Sequence, residues 1–310
     1  MCRHERSLDI MNAEAKIAPP ENGADGELTS GNAVFYLNGR RILKTESSIP
    51  ISSSPWLNDA RMREWIATEN LRRNGPDYPL LYGLPPLLNA IDDCRDHEYL
   101  EQLFADERKR NPAFDRFMEE GYLSAFRRDD LAQYAAGTVG HELYAYMIEH
   151  DLSPDLHDKV MADSGWKPAH SMEYWDLRMS QTHDFFHILG EVGFSTVAEY
   201  FVTGVMTGNV FQHVSPELAS KLMSTNTLIM FPWMTRCMLH YGEAWPVLWH
   251  HITHGYEVGQ KSDMLFSQKF EGVLHMTPAE ARDALGMRGW RGRIDSTPAT
   301  LVFGEGREIF

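Results

Sequence analysis

The sequence is short of cysteine, of basic residues relative to acidic ones, and of long apolar runs. Each shortage closes off a class of protein. Its 310 residues include three cysteines, Cys2, Cys94 and Cys237. They are odd in number, widely spaced and form no CxxC pair, which argues against a cysteine zinc site or a disulfide framework and fits a reducing compartment. Lys and Arg number 29 against 44 Asp and Glu, a formal net charge of −15. Phosphate backbones are bound by clustered cations, so no nucleic-acid partner is expected. No stretch reaches the roughly eighteen apolar residues of a transmembrane helix. The opening MCRHERSLDIMNAEAKIAPP lacks the apolar core of a signal peptide and is too acidic for a mitochondrial presequence. The expectation is a soluble or peripheral intracellular protein.

What is present is apolar content of 43%, enough to bury one large core or two modest ones. Residues 1–30 are rich in Glu, Asn, Gly, Pro and Ser and read as disordered. Residues 31–78 read as an N-terminal arm: a short hairpin turning at Asn38-Gly39, a Ser/Pro loop, and an amphipathic helix over 60–73. From Pro79 to Met287 the pattern is helical almost throughout. Helices are expected over 84–94, 97–108, 112–120, 131–150, 171–189, 195–207, 216–225, 228–241, 245–262 and 264–272. Thr277-Pro-Ala-Glu280 opens a last helix, ending at Gly286, with Thr as cap, Pro at the first helical position and Glu in the first turn. Residues 288–310 read as an irregular or weakly β tail. The fold class is therefore all-α: a single multi-helix domain with an extended arm and an irregular tail.

One stretch carries chemistry. His183-Asp184-Phe-Phe-His187 is an H-D-x-x-H motif, and eleven residues separate His187 from Glu199. On a helix, His183 and His187 lie one turn apart on the same face, with Asp184 at its border. Gly190 and Gly193 then punctuate the chain, and a second apolar helix carries Glu199 near its start. Such a hairpin can return Glu199 to the two imidazoles. Two nitrogens with one or two carboxylates suit Zn²⁺ first and Fe²⁺ second, and suit Ca²⁺ or Mg²⁺ poorly. A histidine pair at helical spacing is by itself more often structural; the adjoining Asp and the distant Glu shift the balance. Glu191, four residues after His187, could reach the site only if the helix ran on past Gly190. The metalloprotease motif H-E-x-x-H has the same spacing but uses a glutamate base, and Asp184 is one methylene shorter.

Two further stretches matter. Gly137-Thr-Val-Gly-His141 opens an apolar helix, with His141 read as a packed, hydrogen-bonded histidine. Residues 228–255, LIMFPWMTRCMLHYGEAWPVLWHHITHG, are dense in Met, Trp and His. That density suits a core, and equally an apolar pocket or membrane-facing surface, with Met230, Trp233, Met234 and Trp245 as candidate lipid contacts. His250, His251 and His254 lack a nearby carboxylate other than Glu257 and are read as polar-face residues.

Together these residues resemble the ubiquinone-biosynthesis family of coenzyme Q protein four. The resemblance rests on H-D-x-x-H with Glu199 after eleven residues. It extends to Gly137-Thr-Val-Gly-His141, Leu152-Ser-Pro-Asp155, the approach 174–187, residues 255–261 and Thr277-Pro-Ala-Glu-Ala-Arg-Asp-Ala-Leu-Gly286. It spans about two thirds of the chain. The resemblance implies an all-helical fold, a divalent metal on His183, Asp184, His187 and Glu199, catalytic roles for Asp184 and Glu199, and a polyprenylated hydroxybenzoate-type lipid substrate. It implies oxidative decarboxylation, in which the ring carboxylate is replaced by hydroxyl; the alternative is a non-catalytic prenyl-lipid scaffold organising other quinone-biosynthesis proteins. For a bacterial homologue the expected location is cytoplasmic, peripheral on the inner face of the membrane. An apolar Met-rich face also suits a homodimer. An unrelated metal hydrolase sharing only the motif is the third reading.

Overall fold

The computed structural model describes residues 52, 54–71, 84–124, 126–149 and 168–297. The expected hairpin at 33–43 and the segment 152–155 lie outside these residues. Among the described residues there is no strand, so the all-α reading holds. The helices are α1 (Ala60–Leu71), α2 (Leu84–Asp93), α3 (His97–Arg110), α4 (Pro112–Glu120), α5 (Val139–Glu149), α6 (Ser171–Gly190), α7 (Thr196–His213), α8 (Pro216–Leu222), α9 (Ser224–His240), α10 (Trp245–Lys261) and α11 (Pro278–Leu285).

Helix α6 is buried on most of its circumference, including Trp175, Arg178, Phe185, Phe186 and Leu189. It packs against α3, α5, α7 and α11, and its buried polar side chains are held by hydrogen bonds, as Gln181 is to Ser124. The larger core gathers around it, with Phe104, Phe114, Phe117, Phe266 and Phe270 interleaved. A second cluster joins α1, α2, α9 and the start of α10. Helix α7 belongs to both: Phe201, Val202 and Val205 face the first, Val197 and Tyr200 the second.

Along α7 and α10 the backbones approach closely because glycine recurs every fourth residue on both, at 204 and 208 and at 255 and 259. A Cβ on Gly255 would lie 2.1 Å from the Phe201 carbonyl oxygen, and one on Gly208 2.2 Å from that of Tyr256. Only residues without a side chain permit this crossing. Helix α7, which carries Glu199, is thereby fixed along its length.

Proline also directs packing. Pro232 lies inside α9 and has no N–H to give the carbonyl four residues earlier. That carbonyl, Leu228 O, instead accepts from the Trp65 indole at 3.1 Å. The proline thus docks α1 on α9. The buried Arg236–Glu69 pair, 2.9 Å apart, joins the same two helices.

Several sequence expectations change. The helix expected over 131–150 is broken. Arg128–Gln133 is a 3₁₀ turn, Gly137 takes φ +84°, and α5 begins only after Thr138, whose hydroxyl faces the His141 N–H. The helix expected over 264–272 is two 3₁₀ turns, Leu265–Ser267 and Phe270–Val273. Its carbonyls are committed elsewhere, since the buried Arg178 guanidinium donates to Phe266 O and Gln268 O. Residues 288–297 are irregular and run back along α10. Arg288 N donates to Ser262 Oγ, Arg291 N to His254 Nε2, and Ser296 Oγ meets His251 Nε2 at 2.7 Å. His251 and His254 are therefore buried beneath this segment, not on a polar face; only His250 is exposed. The capping box at Thr277 and Glu280 forms as expected, and α11 ends at Gly286 with φ +67°.

Candidate metal centre

The candidate site is built at the turn between α6 and α7. Helix α6 ends at Gly190; Glu191 and Gly193 both adopt positive φ, 50° and 71°, and Ser195 is extended before α7 begins at Thr196. Two left-handed residues reverse the chain within the span 191–195 and set the first turn of α7 against the last turns of α6. Glu199 thereby comes to face His183 and His187.

The His183, His187 and Glu199 ligand atoms all lie within 4.8 Å of one another. Glu199 Oε2 is 2.9 Å from His183 Nε2, and Oε1 is 3.3 Å from His187 Nε2. The other nitrogen of each ring is already committed. His187 Nδ1 donates to Gly193 O at 2.6 Å, which directs Nε2 into the cluster. His183 Nδ1 meets Asp184 Oδ1 at 3.0 Å. Asp184 thus stands behind His183, outside the three-residue cluster, in the place of a carboxylate that orients a ligand ring.

The electrostatics follow. With both ring nitrogens of His183 against carboxylate oxygens, a neutral imidazole, having one N–H, could satisfy only one of them. Burial opposes charge on this ring, but the Glu199 carboxylate and the contact with Asp184 outweigh it, and the His183 pKa is raised to about 10. Burial likewise opposes ionisation of Glu199, yet the two imidazoles hold its carboxyl well below the usual range. The cluster therefore favours positive charge between the His nitrogens and Glu199. His187 Nε2 is buried and makes no geometrically sound hydrogen bond. A buried ring nitrogen without a proton partner, beside an ionised carboxylate, fits a divalent cation. The N₂O donor set suits Zn²⁺ or Fe²⁺.

The remaining candidates are placed differently. Glu191 lies beyond the helix end, 3.8 Å from Arg293, and does not join the cluster. Met230, Trp233 and Met234 are buried in the second core, on the helix that packs against α1. Trp245 is partly exposed and stacks on Trp249 at 5.6 Å. The exposed apolar residues of these two helices include Phe231, Met238, Leu239 and Trp249. His141 is half-buried and 3.6 Å from Glu142.

Sequence reasoning missed Phe194 as part of the site. Its ring stacks on the His187 imidazole at 4.7 Å. The signal available was Gly193-Phe194, a turn residue followed by an aromatic just beyond a helix end.

Comparison with known proteins follows from this geometry. Residues 123–289, more than half of the chain, match the profile of a family described as coenzyme Q (ubiquinone) biosynthesis protein Coq4. The chain belongs to the Coq4 family. Membership places it in coenzyme Q biosynthesis. The matched span takes in α5 to α11, hence every residue of the cluster. No curated protein matches the chain. A crystal structure from Nostoc punctiforme PCC 73102, of a protein provisionally named for ubiquinone biosynthesis, is 20% identical with a TM-score of 0.52. It covers 77% of this chain and 100% of its own. At that identity the likeness speaks for the fold alone. Among the described residues, no helix is long and apolar enough to cross a membrane.

Proposed function

We propose that this Coq4-family chain is a metal-dependent enzyme of coenzyme Q biosynthesis that replaces the ring carboxylate of a polyprenylated hydroxybenzoate by hydroxyl. The observation that carries the reading is the convergence of His183, His187 and Glu199, with His187 Nε2 buried beside Glu199 and in no well-formed hydrogen bond. In the overall reaction the ring-to-carboxylate bond breaks and carbon dioxide leaves. The ring carbon gains one atom of dioxygen, and two electrons with two protons from an external reductant carry the other to water. A bound divalent ion would supply Lewis acidity towards the substrate carboxylate or phenolate.

The chain's own residues account for the rest. His187 is held by Gly193 O in the tautomer that leaves Nε2 for a cation. Asp184 holds His183 in the same sense and, half-exposed, marks the open side of the site. Glu199 supplies the negative charge that offsets the cation. The prenyl tail is assigned to the exposed row Phe231, Met238 and Leu239 with Trp249, since the buried Met and Trp residues are already packed. Burial of each methylene contributes roughly 0.8 kcal/mol, so a long tail could hold the protein at a membrane surface.

The test is aerobic incubation of metal-loaded protein and a two-electron reductant with a prenylated hydroxybenzoate carrying a ¹³C-labelled carboxyl group. Labelled carbon dioxide and the corresponding phenol are expected, both lost in His187→Ala. Metal and lipid binding without release of label, under conditions where a positive control reacts, would leave the scaffold reading in its place.

A further inference from the structure

Helix α5 is not used by the proposed chemistry, although the sequence singles out its start at Gly137-Thr-Val-Gly-His141. It is anchored from below: Val139 N and Gly140 N donate to Met276 O and Leu274 O, each at 2.8 Å. A Cβ at Gly140 would fall 2.4 Å from the Tyr134 ring, so the helix start is seated tightly. Two turns further along, Tyr146 lies on Phe194 with ring centroids 3.4 Å apart and planes 10° from parallel. Phe194 in turn stacks on His187, at 4.7 Å and 24°. Two rings cannot share one face of Phe194 at those separations, so Phe194 is held between Tyr146 and His187. The imidazole is then fixed twice by adjacent residues of one loop, through its Nδ1–H on Gly193 O and through its face on Phe194. His183 meets it edge-on at 4.9 Å.

We infer that the Tyr146–Phe194–His187 ring column is a positioning device for the metal ligand His187, with Tyr146 setting the ring plane through Phe194. The inference rests on the metal reading above. It gives the tightly seated start of α5 a role in the site. Hydrogen-bonded neighbours that orient a ligand ring raise metal affinity, and their loss typically costs ten- to a hundredfold; a stacked ring that fixes the imidazole plane acts in the same sense. The column works by its faces: Phe carries the same face as Tyr, whereas Leu offers none.

The test is titration of the metal-free full chain with Co²⁺, following affinity and the visible d–d absorption bands, which report ligand geometry. Tyr146→Phe, which keeps the face, is expected to stay closer to the unsubstituted protein than Tyr146→Leu in both. Tyr146→Leu and, independently, Phe194→Leu are expected to bind Co²⁺ at least about tenfold more weakly, with shifted bands. Far-UV circular dichroism and apo-protein melting identify folded variants. Folded Leu variants with unchanged affinity and bands would overturn the column while leaving the metal site intact. So would loss in Tyr146→Phe equal to that in Tyr146→Leu, since the hydroxyl and not the face would then matter. Failure of the unsubstituted protein to bind Co²⁺ would overturn the metal reading and the column with it.

Discussion

Replacing Gly255 by Ala sets two effects of opposite sign against each other. Alanine is the better helix former by about 1 kcal/mol, and Gly255 lies within α10, so propensity alone makes the variant more stable. Packing says otherwise. The new Cβ would lie 2.1 Å from Phe201 O and 3.0 Å from Phe201 C, where ordinary carbon–oxygen contacts need about an ångström more. The obstacle is backbone on α7 and cannot rotate away, so the helices must part. Overpacking of this kind costs about 1–3 kcal/mol, and the rigidity of the obstacle puts Gly255 at the upper end. The expected net effect is a loss of about 2 kcal/mol, a lower urea midpoint at unchanged slope. Gly272→Ala is the control, because nothing lies within 4 Å of a Cβ there, and it should be neutral or slightly stabilising. Equal or greater stability of Gly255→Ala would refute the close crossing. Because α7 carries Glu199, the destabilised variant should also bind metal more weakly.

Other consequences follow from single contacts. Glu69→Ala leaves the buried Arg236 guanidinium without its carboxylate, and a loss of about 3–5 kcal/mol is expected in equilibrium unfolding; Glu69→Leu with Arg236→Met should recover most of it. Thr277→Ala removes the cap that accepts from Glu280 N, for a loss of about 1 kcal/mol by thermal or urea denaturation. His251, beneath the 288–297 segment, has its pKa lowered to about 4 by burial and by the neighbouring His250 and His254. A depressed folded pKa means that its contribution is present above the unfolded value of 6.5 and is lost as the pH falls towards 4. That amounts to about 3 kcal/mol. Urea midpoints measured between pH 7 and pH 4 should fall less in His251→Gln than in the unsubstituted chain.

Fold class and the hairpin that brings Glu199 to the two histidines were legible because they rest on local patterns. The helical spacing of His183 and His187, the glycines at 190 and 193, and the Thr277 capping box all act within a few residues. What could not be read depended on distant partners. The 264–272 segment has helical composition, but its carbonyls are drawn to Arg178, some ninety residues earlier. Nothing local showed that Met230, Trp233 and Met234 would be buried in the second core, nor that 288–297 would bury His251. Asp184 was expected among the metal ligands, whereas it stands behind His183, outside the cluster; that depended on a side-chain direction that spacing does not give. Tyr146 had no sequence signal, since its partner Phe194 is forty-eight positions away.

The central claim is that His183, His187 and Glu199 form one divalent metal site. Its most direct test is metal content of the full chain, purified without added metal or chelator and measured by mass spectrometry beside His187→Ala and Glu199→Gln. The account expects about one zinc or iron ion per unsubstituted chain and almost none in either variant, each still helical by circular dichroism. Metal-free protein that also takes up no added Zn²⁺ or Fe²⁺, or variants that keep the full ion content, would contradict it.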